Sequence, residues 1–499
     1  MSKEVQRKMA YGAVWMLLFK LVERSLGLIS MLILVRLLSP ADFGIAAMAG
    51  SFILMAEMLT AFSFDVNLIQ NQNATKEHYD TAWTCNVLLG LTITVSMLAG
   101  APLIADFYRN AELFWVVCAL AIGPLISGCE NIGVVAFRKE MDFRREFAFQ
   151  LSRKVAGFLV AVPVAYFTHS YWALVAAILV SKLAGTIISY LAHPFRPHFS
   201  LAKVAGLMVF SKWMLLNSFV SYLKERSVDL VTGRMLGAAA LGLYNVTYEI
   251  AIMPTTELSA PINRALLPGF AKMAHDADAM RTAYRNAIGV LAFIAVPAAT
   301  GIYALAPYIV PTLLGQKWLE GVPLMEILAF NGGLLLFHSS ICTVLIANGH
   351  PDRVTKTNGL YVAVMLGLFA LLIPTYGLTG AAAAALATSI VSTPVYLYQV
   401  RQSVGVPASV FLRAAARPVV AALLMAVAVR GVMPDWDPSM SFIISLTWTI
   451  GGIVLGIATY SVAILLFWLI AGRPPGPESE LLRIVRNRLP KRAAPSPIP

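Results

Sequence analysis

The sequence predicts an all-α integral membrane protein of about 14 transmembrane helices. Twelve of them form two six-helix lobes, and two extra helices follow at the C-terminal end. Three observations carry this reading. Hydrophobic residues make up 58% of the 499-residue chain and charged residues only 13%, about half the charge of an ordinary soluble domain. Short fragments recur at one fixed offset. Lys and Arg collect in alternate loops.

Apolar stretches of about 18 or more residues read as spanning helices. They fall at roughly 12–36, 43–66, 81–105, 112–136, 149–167, 171–192, 208–233, 239–260, 286–306, 322–347, 355–373, 377–400, 411–431 and 443–470. Pro254, Pro261 and Pro268 interrupt the pattern between 239 and 285. Prolines in or at the ends of spans, such as Pro297 and Pro394, remove a backbone donor and tend to kink a helix.

The repeat starts from "WMLL", at 15–18 and again at 213–216, 198 residues apart. "RLLSPADFG" at 36–44 reads against "RMLGAAALG" at 234–242 with the same offset. "ERS" occurs at 23–25 and at 225–227, four residues out of register, which is close to one helical turn. The offset divides twelve spans into two sets of six. An even number per set makes the repeats parallel, related by an axis along the membrane normal. The predicted organisation is a lobe over 1–200, a lobe over 201–405, two additional transmembrane helices over 406–472 and a basic cytoplasmic tail over 473–499.

Of the 38 Lys and Arg, five fall in outer loops (Arg36, Arg109, Arg234, Lys317 and Arg430) and five inside spans. The remaining 28 lie on the other side or just inside it. That bias places both termini in the cytoplasm, and it accounts for the net charge of +12 without a nucleic-acid partner. The first apolar stretch lacks a small-residue cleavage site, so no cleavable signal is expected. Cys85, Cys118, Cys129 and Cys342 are scattered without metal-like spacing and read as small buried side chains. "ESELLRIVRNRLPKR" at 478–492 fits either a helix lying on the anionic inner surface or a disordered basic tail.

Charges inside spans cost about 2.5–3.5 kcal/mol each at the bilayer centre, so they mark structure or function. Span one carries Lys20, Glu23 and Arg24 on one face, and span seven carries Lys224, Glu225, Arg226 and Asp229. Lys182 stands alone in span six, and Glu57, Asp65, Glu130, Glu249 and Glu257 supply acids elsewhere. Two readings stand. These groups are buried ion pairs between helices, or they line one cavity from equivalent helices of the two repeats. A cavity holding Lys20, Arg24, Lys224 and Arg226 favours an anion, and the planar fork of Arg suits phosphate. Glu23, Glu225 and Asp229 would keep those bases oriented.

Enzyme signals are poor. "DWD" at 435–437 falls in an outer loop and reads as solvated. His338 reads as a hydrogen-bonded contact between helices. The sequence contains no Gly-rich phosphate loop, metal-ligand cluster or nucleophile motif, and no cofactor is expected.

"LVRLLSPADFGIAAMA" at 34–49, "LLPGFAKMAHDADAMRTAYRNA" at 266–287, "LLGQKW" at 313–318, "ANGHPDRV" at 347–354 and "YGLTGAAAA" at 376–384 together resemble the Wzx-like polysaccharide exporters, also called lipopolysaccharide biosynthesis proteins. These belong to the multidrug/oligosaccharidyl-lipid/polysaccharide exporter superfamily. The resemblance covers about residues 10–400. It implies a V-shaped, MATE-like pair of lobes and a flippase, not an enzyme, that works by alternating access. The substrate implied is an undecaprenyl-pyrophosphate-linked oligosaccharide moved across the bacterial inner membrane for exopolysaccharide, capsule or O-antigen. The partners implied are membrane lipids, a polysaccharide polymerase and the export machinery. A cation-coupled multidrug exporter of the same fold is the alternative, but it would favour an acidic cavity. A membrane polysaccharide polymerase would carry a sizeable outer loop, which this chain lacks.

Overall fold

A computed structural model describes residues 3–59, 64–71, 73–204, 212–273, 276–473 and 479. Among them every regular element is helical. The chain divides into two compact units, Met1–Val246 and Thr247–Pro499. Among the described residues ten helices are long and apolar enough to cross a membrane. The number is up to eleven with Glu112–Gly128 and Ile132–Lys139, which bend by 63° and together make one candidate crossing. The basic segment 478–492 lies outside the described residues apart from Ser479.

The first unit contains α1 (Lys3–Leu37), α2 (Pro40–Leu59), α3 (Phe64–Gln70), α4 (Lys76–Tyr108), α5 (Glu112–Gly128), α6 (Val135–Lys139), α7 (Phe143–Thr168) and α8 (Trp172–Ala192). It also holds the first part of α9 (Lys212–Lys272). Local chemistry sets the ends. Before α2, the Ser39 N–H donates to Asp42 Oδ2 at 2.8 Å and the Asp42 N–H donates to Ser39 Oγ at 3.3 Å. This is a reciprocal cap with Pro40 pre-set for the first turn. Asp142 caps α7 by accepting the Arg145 N–H. Arg109 and His169 stop α4 and α7 in left-handed conformations, at φ 54° and 48°.

The second unit continues with α10 (Ala277–Ile309), α11 (Val322–Ala347), α12 (Pro351–Val404), α13 (Ala408–Val432) and α14 (Phe442–Ile470). Asp276 caps α10 through the amides of Asp278 and Ala279. Straight, the 54 residues of α12 would extend about 81 Å, far beyond a hydrocarbon core of about 30 Å. Instead, Tyr361 Oη lies 3.2 Å from Ser389 Oγ, and Tyr396 Oη donates to Asn358 Oδ1 at 3.0 Å. Both pairs centre on Gly377, at φ 56° and ψ −131°, so α12 is an antiparallel hairpin turning there. α9 turns in the same way at Gly237, at φ 85° and ψ −178°, a region open essentially only to glycine. Asn245 Nδ2 reaches Asp229 Oδ1 across that turn at 2.9 Å.

Each hairpin is thus a single helix among the ten. α1 is not among them, because Lys20, Glu23 and Arg24 interrupt its apolar run. The expected interruption at Pro254, Pro261 and Pro268 is corrected: α9 runs helical to Lys272, with only Gly237 outside helical geometry. Neighbouring groups and small backbone adjustments absorb the lost donors of such prolines in membrane helices.

The two C-terminal helices pack against α10. Met425, Val429, Tyr460 and Ile464 share an apolar cluster with Ala304 and Leu305. Arg430 sits 4.2 Å from the Tyr303 ring centroid and forms an ion pair with Glu326. Tyr460 Oη donates to the Phe293 carbonyl at 2.9 Å.

Candidate functional site

Charged side chains inside the first unit build the site. Asp229 is the most deeply placed, with its side chain only 4% exposed. It accepts from Arg226 Nη1 at 3.1 Å, one helical turn away, and from Asn245 Nδ2. The side chain of Arg226 is 38% exposed, so the guanidinium is anchored at one nitrogen and offers an open side. Nearby, Tyr222 Oη donates to the Ser51 carbonyl at 3.0 Å, and Ser51 Oγ lies 3.2 Å from Tyr108 Oη. These contacts hold the first half of α9 against α2 and α4.

The other predicted residues are placed differently. Arg24 and Lys224 are half-buried, whereas Lys20 and Glu225 are exposed. Glu23 pairs with Lys154 of α7 at 3.3 Å. Lys182, alone in its own span, pairs with Glu57 of α2 at 3.0 Å and donates to Ser127 Oγ at 3.3 Å. Lys182 and Glu23 sit in interhelical ion pairs, and Arg226 is oriented by an acid and half open.

Sequence reasoning missed a polar cavity of about 400 Å³ in the first unit, lined in part by Glu57, Asp65, Asn86, Ser127, Glu130 and Lys182. Asp65 pairs with Arg138 at 2.8 Å and Glu130 with Arg153 at 3.2 Å. Asn131, fully buried, also lines the cavity at the bend after α5. The one available signal was the excess of acids in spans, each of which needs a partner; which base answers each acid is a three-dimensional matter. At the end of α8, burial pushes the His193 imidazole beneath its ordinary value. A neutral ring suits Nδ1, which accepts the Phe195 N–H at 3.1 Å.

Lys182→Met is expected to lower the amount of folded protein, since it removes the cation that pairs with Glu57 between α8 and α2. Glu57→Gln combined with Lys182→Met should recover most of it, with a coupling of about 0.5–3 kcal/mol. Fluorescence-detected size exclusion of the tagged protein measures this. A double variant no better than the single one would show that the pair does not hold α2 to α8.

Among the described residues no three His, Cys, Asp or Glu side chains converge as a metal site. His338 Nε2 lies 3.0 Å from Thr393 Oγ1, and its ring stacks on Tyr396 at 4.1 Å, the expected interhelical contact. Asp435 and Asp437 of "DWD" are exposed.

Apolar helices that can span a bilayer, with ion pairs and a polar cavity among them, define a multi-pass membrane protein. Residues 33–323 match the family described as polysaccharide biosynthesis protein, and the chain belongs to that family. It is 28% identical over 358 residues to the lipopolysaccharide biosynthesis protein WzxC of Escherichia coli (strain K12), covering 71% of this chain and 73% of that protein. It is 26% identical over 471 residues to the succinoglycan biosynthesis transport protein ExoT of Rhizobium meliloti (strain 1021), covering 91% and 92%. The lipid II flippase MurJ, in an inward closed conformation, shares the fold at a TM-score of 0.74 and 13% identity, over 91% of this chain and 99% of that one. An inward-facing MATE multidrug transporter does so at 0.57 and 17%, over 77% and 94%.

Proposed function

We propose that this protein is a flippase. It carries an undecaprenyl-pyrophosphate-linked oligosaccharide from the inner to the outer leaflet of the bacterial inner membrane, for assembly into a surface polysaccharide. The observation that carries the reading is Arg226, a half-exposed guanidinium inside a membrane protein, anchored at one nitrogen by buried Asp229. Such a group can accept a pyrophosphate through charge-assisted hydrogen bonds, about twice as strong as neutral ones. Arg24, the half-buried base of the equivalent helix, completes the clamp. Lys20 and Lys224 add positive field, and the sugars travel in the watery path. Glu225 stays near the bases, while Glu23 and Lys182 serve through their ion pairs with Lys154 and Glu57.

The same reading gives fourteen crossings. To the ten apolar helices it adds α1, the bent pair and one extra crossing for each hairpin. Twelve fall into two six-helix repeats and two follow, with both termini cytoplasmic. WzxC and ExoT, both named for polysaccharide biosynthesis, support the substrate class.

A deletion strain is expected to lose surface polysaccharide and accumulate lipid-linked repeat units. Plasmid-borne Arg24→Ala should fail to restore export at a normal protein level. Arg24→Lys should restore part of it, since charge survives and only the fork is lost. Normal export by Arg24→Ala would remove Arg24 from the path, and a deletion strain with unchanged surface glycan would remove the function.

A further inference from the structure

Gly44 and Gly242 stand 198 residues apart, the offset of the internal repeat. Each lies in the opening turns of the second helix of its repeat, α2 or the second half of α9. A Cβ built on Gly44 would fall 1.8 Å from the Ala238 carbonyl oxygen. One built on Gly242 would fall 1.7 Å from the Pro40 carbonyl oxygen and 2.7 Å from the Gly44 nitrogen. Pro40 and Ala238 are themselves 198 residues apart. Position 44 of one repeat therefore meets the equivalent of position 40 in the other, and the reverse also holds. Reciprocity of this kind is the mark of a two-fold axis passing through the contact.

The turns before the two helices occupy equivalent positions and solve the same problem with different chemistry. Ser39 relies on the Asp42 cap, and Asp42 Oδ1 also accepts the Tyr171 N–H at 2.8 Å. Gly237, its equivalent, relies on a backbone conformation that needs no side chain. The first turn thus meets its polar needs within its own repeat, so the crossing depends on close backbone fit. Small residues four apart permit such an approach between membrane helices. Leu241, beside Gly242, is fully buried in an apolar cluster with Ile45 and Met48 of α2.

We propose that this glycine crossing is the closed outer gate of the transport path. It is sealed in this structure and must part in each cycle for substrate to leave. The proposal rests on the flippase reading only for its direction, which sets the Ser39 and Gly237 turns at the outer face. Glycine is required at both positions because the opposing atoms are backbone carbonyls and cannot swing aside as a side chain would. A larger residue at either position holds the gate apart, and a carrier that cannot close its outer side cannot return to load.

The test uses Leu241→Cys, in a chain whose four native cysteines are alanine, labelled in spheroplasts with a membrane-impermeant maleimide. Adding Gly44→Val or Gly242→Val should raise labelling several-fold and abolish polysaccharide export. Low labelling in either valine variant, at normal protein level, overturns the proposal. If both fail to accumulate, labelling of Leu241→Cys alone decides. It should be higher in a glycan-producing strain than in one lacking the first glycosyltransferase, and equal labelling overturns the gate. Labelling reads the gate whatever the cargo is, so a valine variant that labels strongly in a strain with unchanged surface glycan would sink the flippase reading and keep the gate.

Discussion

Arg226→Ala is expected to deplete the protein from the membrane, which by itself says nothing about export. Asp229 is almost fully buried, and with the cation gone Asn245 alone would answer its charge. Removing one partner of a fully buried pair costs about 3–5 kcal/mol. The cost here is smaller, since Arg226 keeps a 38% exposed side chain and the pair is partly screened. The informative variant is therefore Arg226→Gln with Asp229→Asn. It removes both charges, keeps similar shapes and leaves amides to pair across the turn. Protein level should return close to normal while export stays lost, because no neutral amide replaces the guanidinium at a pyrophosphate. Quantitative immunoblotting of membranes and a surface-polysaccharide assay on the same cells give both numbers. If the double variant exports normally, Arg226 is half of a structural pair and the anion is bound elsewhere.

Asn131→Leu is expected to be the most destabilising single change in the first unit. The residue is fully buried and makes five hydrogen bonds at the bend after α5, one of them from the Val134 N–H to its own carbonyl at 3.2 Å. Its N–H donates to Ser189 Oγ at 2.9 Å, and its Oδ1 accepts the Gly133 N–H at 2.9 Å. Its Nδ2 donates to the carbonyls of His193 and Phe195 at 3.3 and 2.7 Å. One side chain thus ties the bend to the end of α8 and to the segment that follows it, which is also held by Asp80 and Thr84 through the amides of His198 and Ser200. Leucine fills a similar volume and leaves the Gly133 amide unsatisfied, at about 1–3 kcal/mol, while the His193 and Phe195 carbonyls keep only the Arg196 guanidinium, at 2.8 and 2.9 Å. A loss of about 2–4 kcal/mol is expected, read as a lower unfolding midpoint in detergent. Ser200→Ala, which keeps the Ser200 amide, should move that midpoint little. An Asn131→Leu midpoint within error of the parent would mean that water reaches these groups.

Much of the fold was legible in the sequence because hydropathy is local and additive. Stretches such as 322–347 and 443–470 declare themselves without reference to the rest of the chain, and α11 and α14 follow them closely. Hairpins were harder. The gap between 373 and 377 was read as a loop between two helices, and the chain does turn at Gly377. The prolines after 250 were read as breaks, and the chain does not break there. A proline removes one donor, whereas a turn needs a backbone conformation that only certain residues reach; the second constraint ends a helix more reliably than the first.

The site divides along the same line. The identity of the charges within apolar stretches was set by the sequence alone: a chain this apolar does not carry Lys20, Arg24, Lys182, Arg226 or Asp229 in a stretch of spanning length without a reason. Their spacing also placed Arg226 and Asp229 on one face, one turn apart, as they are found. The partners that come from distant helices were decided only by the tertiary structure. Lys182 finds Glu57 at a separation of 125 residues, Glu23 finds Lys154, and Asp229 finds Asn245 across a glycine turn. The close crossing of Gly44 and Gly242 belongs with them. The sequence sets the two glycines 198 residues apart, but only packing could bring Gly44 against the backbone of Ala238 and Gly242 against that of Pro40. Burial energy depends on composition along a few turns of chain. The pairing of a charge, or the fit of a backbone into the space of a missing Cβ, depends on which surface of which helix arrives opposite it.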